Sequence, residues 1–382
     1  MDNLTHSLVG LAAAKAGLEK LSPRTTALCI VAANAPDLDV VTLVFGDRWT
    51  TLKYHRGITH SIIGTLCLAL IIPIVFYLAE LALARLRARP LKINLTGLFV
   101  ASLIVSATHP LMDWTNNYGV RLLLPWSSRW FYGDLVFIVD PFLWALFGGA
   151  SFLLTSKTRL QLIAWCALGL IVTLIVLLGS AQRSAVSNAL PVRIFWIAVL
   201  ISLVVLFATK TGDRWGQNIA ITSFVILLAY WGGLAWAHSL AIKEGTAEAS
   251  LMAHNGGETI SRLAAMPTLG NPANWECVFE TERATYRFDL SLTGKSVRDV
   301  VRYEKPSPEV SRLIQEASED RRAQILLGFA RFPVVQVSDT DCTTQTLVQF
   351  ADLRYTEPGK SRGTFALEVP VDCPDQRLSG SK

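Results

Sequence analysis

The sequence predicts a mainly α fold, a polytopic helical membrane bundle followed by a C-terminal extra-membrane α+β domain. Three observations predict it. The 382 residues are 51% hydrophobic and only 17% charged, whereas soluble proteins run nearer a quarter charged, and the mean hydropathy is +0.39. The apolar residues gather into stretches of about 18 residues or more, the length a helix needs to cross ~30 Å of hydrocarbon. The stretch 242–382 returns to the composition of a soluble domain.

Three regions follow: 1–57, a helical hairpin studded with His and Asp; 58–241, with about six spans; and 242–382, outside the membrane. In the hairpin, residues 5–18 are rich in Ala and Leu and read as helix. Ser22 and Pro23 give a helix start signal, and the second arm runs over 23–34 and stops before Pro36. Each arm reaches only ~20 Å at 1.5 Å per residue, so the sequence leaves open whether the hairpin crosses fully. Lys15, Lys20 and Arg24 cluster at its closed end, and His6, Asp37 and Asp39 share the open end.

The spans are read at 58–80, 95–112, 135–155, 159–180, 191–208 and 217–240. The loop from Arg85 to Lys92 is strongly basic, and short basic loops stay in the cytoplasm. Alternation then places the loop with Lys157 and Arg159 and the loop with Lys210 and Arg214 on the same side, while 181–190 carries only Arg183. This orientation puts residues 242–382 outside the cytoplasm, an extracytoplasmic or periplasmic placement. The net charge of +5 is thereby topological, and no aromatic-plus-basic pattern points to nucleic acid. The start Met1-Asp2-Asn3 lacks a basic n-region, and His6 and Lys15 interrupt the first apolar stretch, unlike a cleaved signal peptide.

Cys29, Cys67 and Cys166 fall in apolar stretches. Cys277, Cys342 and Cys373 fall in the C-terminal region, where one disulfide is expected if that region meets an oxidising compartment. Alternation around Trp275, Phe279, Tyr286 and Phe288 marks 275–291 as strand or hairpin. Residues 308–330 have helical periodicity, and 332–338, 345–355 and 363–371 read as strands. No catalytic motif occurs in this region.

The chemistry lies in the first 141 residues. Four of the six histidines, His6, His55, His60 and His109, stand there in polar or acidic company. His55 and His60 stand at the entry of the first span, and His109 and Asp113 at the exit of the second, so both pairs share the face opposite the basic loop. His109 and Asp113 are four apart and lie on one side of a helix. The hairpin presents His6, Asp37 and Asp39 at the same level. Imidazole and carboxylate are mixed ligands suited to zinc, or to manganese or iron. Seven such groups exceed one tetrahedral ion, so one or two divalent ions, with some groups orienting the ligands, are both open. A lone interfacial histidine is usually structural. Ionisable groups at membrane depth are costly and functional by default, and convergence on one face favours a site.

Asp134 and Asp140 flank the start of the third span and are further candidates. Arg56 either neutralises an anionic substrate or touches lipid headgroups. Asn116, Asn117 and Tyr118 read as a polar turn, and Trp126 and Trp130 as an interface belt. His238 and His254 lack matching partners.

The strings D-N-x-T-H at 2–6, P-D-x-D at 36–39, H-R-G-x-T-H-S at 55–61 and H-P-L-x-D at 109–113, followed by the aspartates at 134 and 140, resemble a bacterial family of inner-membrane metal-dependent hydrolases, some of whose members are described as LexA-regulated. The resemblance covers roughly residues 1 to 141. The family is distantly like zinc-dependent phospholipase C and nuclease-type enzymes. The resemblance implies that His6, Asp37, His55, His60, His109 and Asp113 form the metal-binding set.

The leading expectation is a membrane-bound hydrolase of a phosphoester in a lipid or lipid-linked substrate, using metal-activated water, with Asp39 managing the proton and Arg56 near the substrate. A metalloprotease or amidase would use similar ligands, but no H-E-x-x-H is present. A metal transporter or sensor would need ionisable groups along a path, and spans 159–180, 191–208 and 217–237 carry almost none beyond their ends.

Overall fold

A computed structural model describes residues 1–179, 189–294, 296–339, 344–359 and 365–373. The loop position Arg183 and Cys342 lie outside the described residues. The chain forms two compact units, one of Met1–Asp39, Arg56–His238 and Pro267–Asn274, the other of Val40–His55, Ser239–Met266 and Trp275–Lys382.

In the first unit, α1 (Asn3–Lys15) is capped by Asp2, whose carboxylate accepts from the Thr5 backbone N–H at 2.9 Å. α2 (Thr25–Asn34) packs closely on α1 because the facing residues are small. A Cβ on Gly10 would lie 2.6 Å from the Cys29 carbonyl oxygen and 2.9 Å from the Ala33 Cβ. Ala14, Leu28, Ala32 and Ala33 are buried here with Leu98, Ala101 and Val105. The expected Ser22 cap is not formed. α2 begins after Arg24, which has φ +71° and no side-chain cap bond, and Ser22 Oγ instead accepts from the Asn94 backbone N–H at 2.8 Å. Beyond α2 the chain tightens into a 3-10 helix over Ala35–Val41, where Pro36 has no N–H to continue an α-ladder. A short turn of helix, α3 (Thr42–Phe45), belongs to the second unit.

α5 (Ile62–Leu86), α6 (Leu95–Trp114), α7 (Pro141–Thr155), α8 (Arg159–Gly179), α9 (Ala189–Ala208), α10 (Thr211–Trp215) and α11 (Gln217–Asn255) complete the helices of the bundle; α4 (Arg48–Tyr54) belongs to the second unit. Among the described residues, six helices are long and apolar enough to cross a membrane: Thr25–Phe45, Ile62–Leu86, Leu95–Trp114, Arg159–Leu178, Leu190–Ala208 and Gln217–Asn255. Two differences from the sequence reading have local causes. The first expected span starts at Ile62 rather than 58, since Ser61 caps it by accepting from the Gly64 N–H at 3.1 Å. The third is only 15 residues, Pro141–Thr155, about 22 Å of helix, because Asp140 and Pro141 start it late. α7 nevertheless packs Leu143, Trp144 and Phe147 against Leu8 and Val9 of α1.

The basic segments meet at one end of the unit. Gln217 Nε2 donates to the Ala16 carbonyl at 2.7 Å, and Gln217 Oε1 accepts from Lys20 Nζ. Arg24 and Arg89 both pair with Glu80, and Lys157 with Asp213. The start of α1, the turn before α5 and the end of α6 lie at the other end of their helices, and these carry the histidines and aspartates.

In the second unit, β1 (Ile260–Thr268), β2 (Asn271–Thr281), β3 (Ala284–Ser291) and β4 (Ser296–Glu304) form a sheet in that order. β5 (Pro333–Val337), β6 (Gln345–Asp352) and β7 (Ala366–Asp372) form an antiparallel second sheet. The helical stretch 308–330 is split into α12 (Ser311–Ser318) and α13 (Arg321–Phe329), with Asp320 capping the latter through the Arg322 N–H at 2.7 Å. α4 packs on α13. β1 and β4 escaped the sequence reading: β1 has no clean alternation, and β4 (Ser-Val-Arg-Asp-Val-Val-Arg-Tyr-Glu) is largely solvent-facing.

The Gly10 contact is a sharp test of the α1–α2 packing. Gly10→Val must push the Cys29 carbonyl away. It is expected to lower stability by about 1–3 kcal/mol, the usual cost of overpacking, read as a lowered Tm in detergent, whereas Gly232→Ala, where an added Cβ meets nothing within 4 Å, leaves the bundle transition in place.

Candidate metal centre

Four donors converge at the histidine end of the first unit. The last turn of α6 presents His109 and Asp113, the 3-10 segment after α2 presents Asp37, and the turn Ile58–His60 presents His60. One ligand atom from each lies within 4.8 Å of all the others, and all four residues are buried. His60 Nε2 is 3.2 Å from Asp37 Oδ1 and 3.3 Å from Asp113 Oδ2. His109 Nε2 is 3.1 Å from His60 Nε2, 3.6 Å from Asp37 Oδ1 and 3.5 Å from Asp113 Oδ2. Ligands about 2.0–2.1 Å from a tetrahedral ion are about 3.3–3.4 Å from each other, so these five separations are close to five of that tetrahedron's six edges, and the sixth, Asp37 to Asp113, is within 4.8 Å.

The opposite ring edges fix which nitrogens face inward. His109 Nδ1 is 2.6 Å from the Ala33 carbonyl oxygen. A carbonyl only accepts, so Nδ1 carries the proton and, in the neutral ring, Nε2 is a bare lone pair. His60 Nδ1 lies 3.3 Å from Asp39 Oδ2 and 3.1 Å from Thr59 Oγ1, the carboxylate–histidine arrangement that orients metal ligands. Two imidazole lone pairs and two carboxylate oxygens facing one another repel unless a cation lies between them. Burial disfavours a charged His60, yet hydrogen bonds to Asp113, Asp37 and Asp39 outweigh it and raise its pKa to about 10. Without an ion a proton supplies that positive charge; an ion displaces it. The donor set therefore fits a zinc-sized divalent cation.

Other expected site residues take different places. Asp39 Oδ2 accepts the Arg56 backbone N–H at 2.9 Å and faces His60 Nδ1, so it holds an imidazole rather than standing among the four donors. Arg56 is 2% exposed. Its Nη2 lies 3.0 Å from Asp113 Oδ1, and its Nη1 donates to Asn116 Oδ1 at 2.9 Å and to the Gly119 carbonyl at 3.1 Å. It anchors Asp113. His6 stacks on His109 with ring centroids 3.8 Å apart, and its Nε2 is 3.4 Å from Asp113 Oδ1. Burial drives the His6 pKa down to about 3, so it is neutral. The Met1 amino group also contacts Asp113 Oδ1. His55 is the C-cap of α4, half-buried, and belongs to the second unit.

Asp140 caps α7, accepting from the Phe142 N–H at 2.8 Å, and its other oxygen accepts from Tyr230 Oη at 2.8 Å. Asp134 is buried with φ +53°. Neither is one of the four donors. The sequence reading treated Asn116 as a plain turn residue, yet it is fully buried and accepts from both Arg56 and the Tyr118 N–H. Trp144 escaped notice altogether; its Nε1 donates to Asp2 at 3.1 Å and ties α7 to the cap of α1. The indole carries no periodic signal for this role.

Residues 1–186 match the family model described as YdjM inner membrane protein. Over 153 residues the chain is 28% identical to the uncharacterized protein YfhP of Bacillus subtilis (strain 168), a match spanning 37% of this chain and 43% of that one. Over 143 residues it is 28% identical to inner membrane protein YbcI of Escherichia coli (strain K12), spanning 36% of this chain and 76% of that one. No solved structure matches. The four donors all fall within the family-matched stretch. With six helices apolar enough to cross a bilayer among the described residues, this is a multi-pass membrane protein similar to inner-membrane proteins, and it carries a buried Asp/His group able to hold a metal ion.

The purified protein is expected to retain divalent metal, with zinc or manganese measured by plasma mass spectrometry. His60→Ala and Asp113→Asn should each abolish retention. Asp39→Asn, which loosens the His60 ring only, should weaken affinity by about 10–100-fold, the usual effect of removing a group that orients a ligand. Wild-type retention by all three variants contradicts the assignment.

Proposed function

We propose that the protein is a membrane-bound, metal-dependent hydrolase that cleaves a phosphoester in a lipid or lipid-linked substrate. The observation that carries this reading is the set of four inward-facing donors, Asp37, His60, His109 and Asp113, spaced as the edges of a zinc-sized tetrahedron. A divalent ion there, zinc being the best fit to mixed imidazole and carboxylate donors, supplies Lewis acidity toward a phosphoryl oxygen and toward water.

The chain's own residues hold that chemistry in place. Asp39 and Thr59 orient His60, the Ala33 carbonyl orients His109, and Arg56 with Asn116 holds Asp113. Asp37, 8% exposed, is the most accessible donor and the side from which a substrate would approach. His6 is the further imidazole that a second ion would recruit, next to Asp113 Oδ1. The location at the ends of membrane helices suits a headgroup whose tails stay in the bilayer.

A second reading has its own support. Four buried protein donors resemble a closed structural site, in which the ion would pin the hairpin α1–α2 to α5 and α6. The two readings separate on turnover.

The topology of the basic segments and a disulfide at Cys373 support a C-terminal region outside the cytoplasm, since disulfides persist in oxidising compartments. A C-terminal alkaline phosphatase fusion is then expected to be active and a β-galactosidase fusion inactive; the reverse pattern overturns the orientation.

The activity test uses the full chain in nanodiscs, loaded with zinc or manganese. It is expected to hydrolyse a phosphodiester, tested as bis(p-nitrophenyl) phosphate and as phospholipid, and His109→Ala should lose at least about 100-fold of that rate. Metal loading that raises Tm without phosphoester turnover favours the structural reading. Peptide cleavage or metal-driven uptake into vesicles replaces it altogether.

A further inference from the structure

We propose that an apolar slot between α1, α7, α8 and α9 takes one acyl chain of the lipid phosphoester whose headgroup meets the metal donors. The inference rests on the hydrolase reading and names the substrate class, a lipid held by its chain as well as by its phosphate. The slot encloses about 410 Å³. That is within the range of sites that hold a small ligand and far above the water-sized voids of packed protein interiors.

Its shape comes from glycine. Gly148 and Gly149 of α7 and Gly169 of α8 all border it. Glycine in a membrane helix usually lets a second helix come close, and Gly149 does so: a Cβ there would lie 3.0 Å from Leu203 Cδ2 of α9. At Gly169 a Cβ would meet nothing within 4 Å among the described residues, so the notch in α8 serves no protein neighbour. Between Trp144 and Phe152, both in the slot wall, α7 rises about 12 Å at 1.5 Å per residue. One leaflet is about 15 Å deep, half of a ~30 Å hydrocarbon core, and the slot runs through most of it.

Its chemistry admits hydrocarbon. Three indoles line it, and each turns its N–H onto protein. Trp144 donates to Asp2 at 3.1 Å, Trp165 to Thr155 Oγ1 at 2.8 Å and Trp196 to Thr173 Oγ1 at 3.0 Å. The Thr173 hydroxyl in turn donates to the Gly169 carbonyl at 2.6 Å. Among the described lining residues none is charged. Water gains no partners from such walls and leaves an apolar cavity dry, whereas an alkyl chain makes dispersion contacts with every ring. The walls α8 and α9 are spans left mostly uncovered by protein, so a chain enters directly from the bilayer.

Its place ties it to the metal centre. α1 stands between the two. His6 stacks on His109 from one face of the helix, and Leu4 and Leu8 line the slot from the other. Leu4 and His6 lie within one turn, so the upper end of the slot is at the level of the donors, about 10 Å away across one helix diameter. The bond from Trp144 to Asp2, the α1 cap, marks that end. A phosphate over the start of α1 can reach the donors while its chain descends on the far side of the helix.

The zinc-loaded full chain in nanodiscs is compared with Gly169→Leu and Leu200→Trp, which fill the slot from α8 and from α9, and with Gly232→Leu, on an exposed helix face outside it. The probe is phosphatidylglycerol carrying a diazirine midway along one acyl chain, with crosslinked residues mapped by mass spectrometry. In the wild type the label is expected on slot residues of α7, α8 and α9. Each filling variant should lower it at least about tenfold, as displacing several buried methylenes would, and Gly232→Leu labels as wild type. Turnover is read on long-chain phosphatidylglycerol and on bis(p-nitrophenyl) phosphate, which has no chain. Filling the slot should raise KM for the lipid and leave the chain-free ester unchanged. A wild-type label spread evenly over the lipid-facing helices overturns the proposal, and so does lipid turnover untouched by either filling variant. If neither variant folds, a wild-type label lying outside the slot overturns it equally. Slot labelling in a protein without phosphoester turnover would sink the hydrolase reading and leave the chain site standing. Turnover of the chain-free ester without slot labelling sinks the chain site alone.

Discussion

Two imidazole nitrogens and two carboxylate oxygens face one another across 3.1–3.6 Å in the interior of the first unit. This arrangement is tolerable only around positive charge. Burying carboxylates costs several kcal/mol each unless positive charge answers them. The surrounding structure is organised to keep the lone pairs aimed inward: a carbonyl on the back of His109, a carboxylate on the back of His60, a guanidinium on the far oxygen of Asp113. Each removes one rotational freedom from a donor, so that an ion meets a formed cage.

The helices serve that cage by bringing remote segments to one level. Small residues let α1 and α2 approach until Gly10 touches the Cys29 carbonyl, and the same tight packing carries Asp37 to the end of α6. The 3-10 turn after α2 and the capped start of α5 set Asp37 and His60 on either side of His109. Interfaces built from Ala and Gly are a common solution in membranes, where hydrocarbon gives no preference for one apolar contact over another. The basic segments gather at the opposite end, separating the charges that set orientation from those that hold the ion.

Much of this was legible in the sequence because it rests on strong local signals. Runs of apolar residues, basic loops and the spacing of His109 and Asp113 each have a direct physical reading. The convergence of His60, Asp37 and His109 followed from topology alone. What stayed hidden depends on which face of a side chain meets which neighbour. Asp39 and Arg56 are acidic and basic residues beside the site, and nothing in their spacing separates a reacting group from one that holds a ligand still. Asn116 lies in a turn-like string whose burial only the folded loop reveals. Asp140 stood out as an aspartate before a proline in an apolar run, and a helix cap bonded to Tyr230 gives that oddity a structural cause. β4 was missed because its outward charges hide its pairing with β3.

The central claim is that one ion is held by these four donors. X-ray absorption at the zinc edge on the purified, zinc-loaded protein tests it most directly. The account predicts about four nitrogen and oxygen neighbours near 2.0–2.1 Å, with the multiple-scattering signature of two imidazoles and no sulfur. A spectrum showing sulfur ligation, six distant oxygens of a loosely held ion, or no imidazole scattering would contradict it.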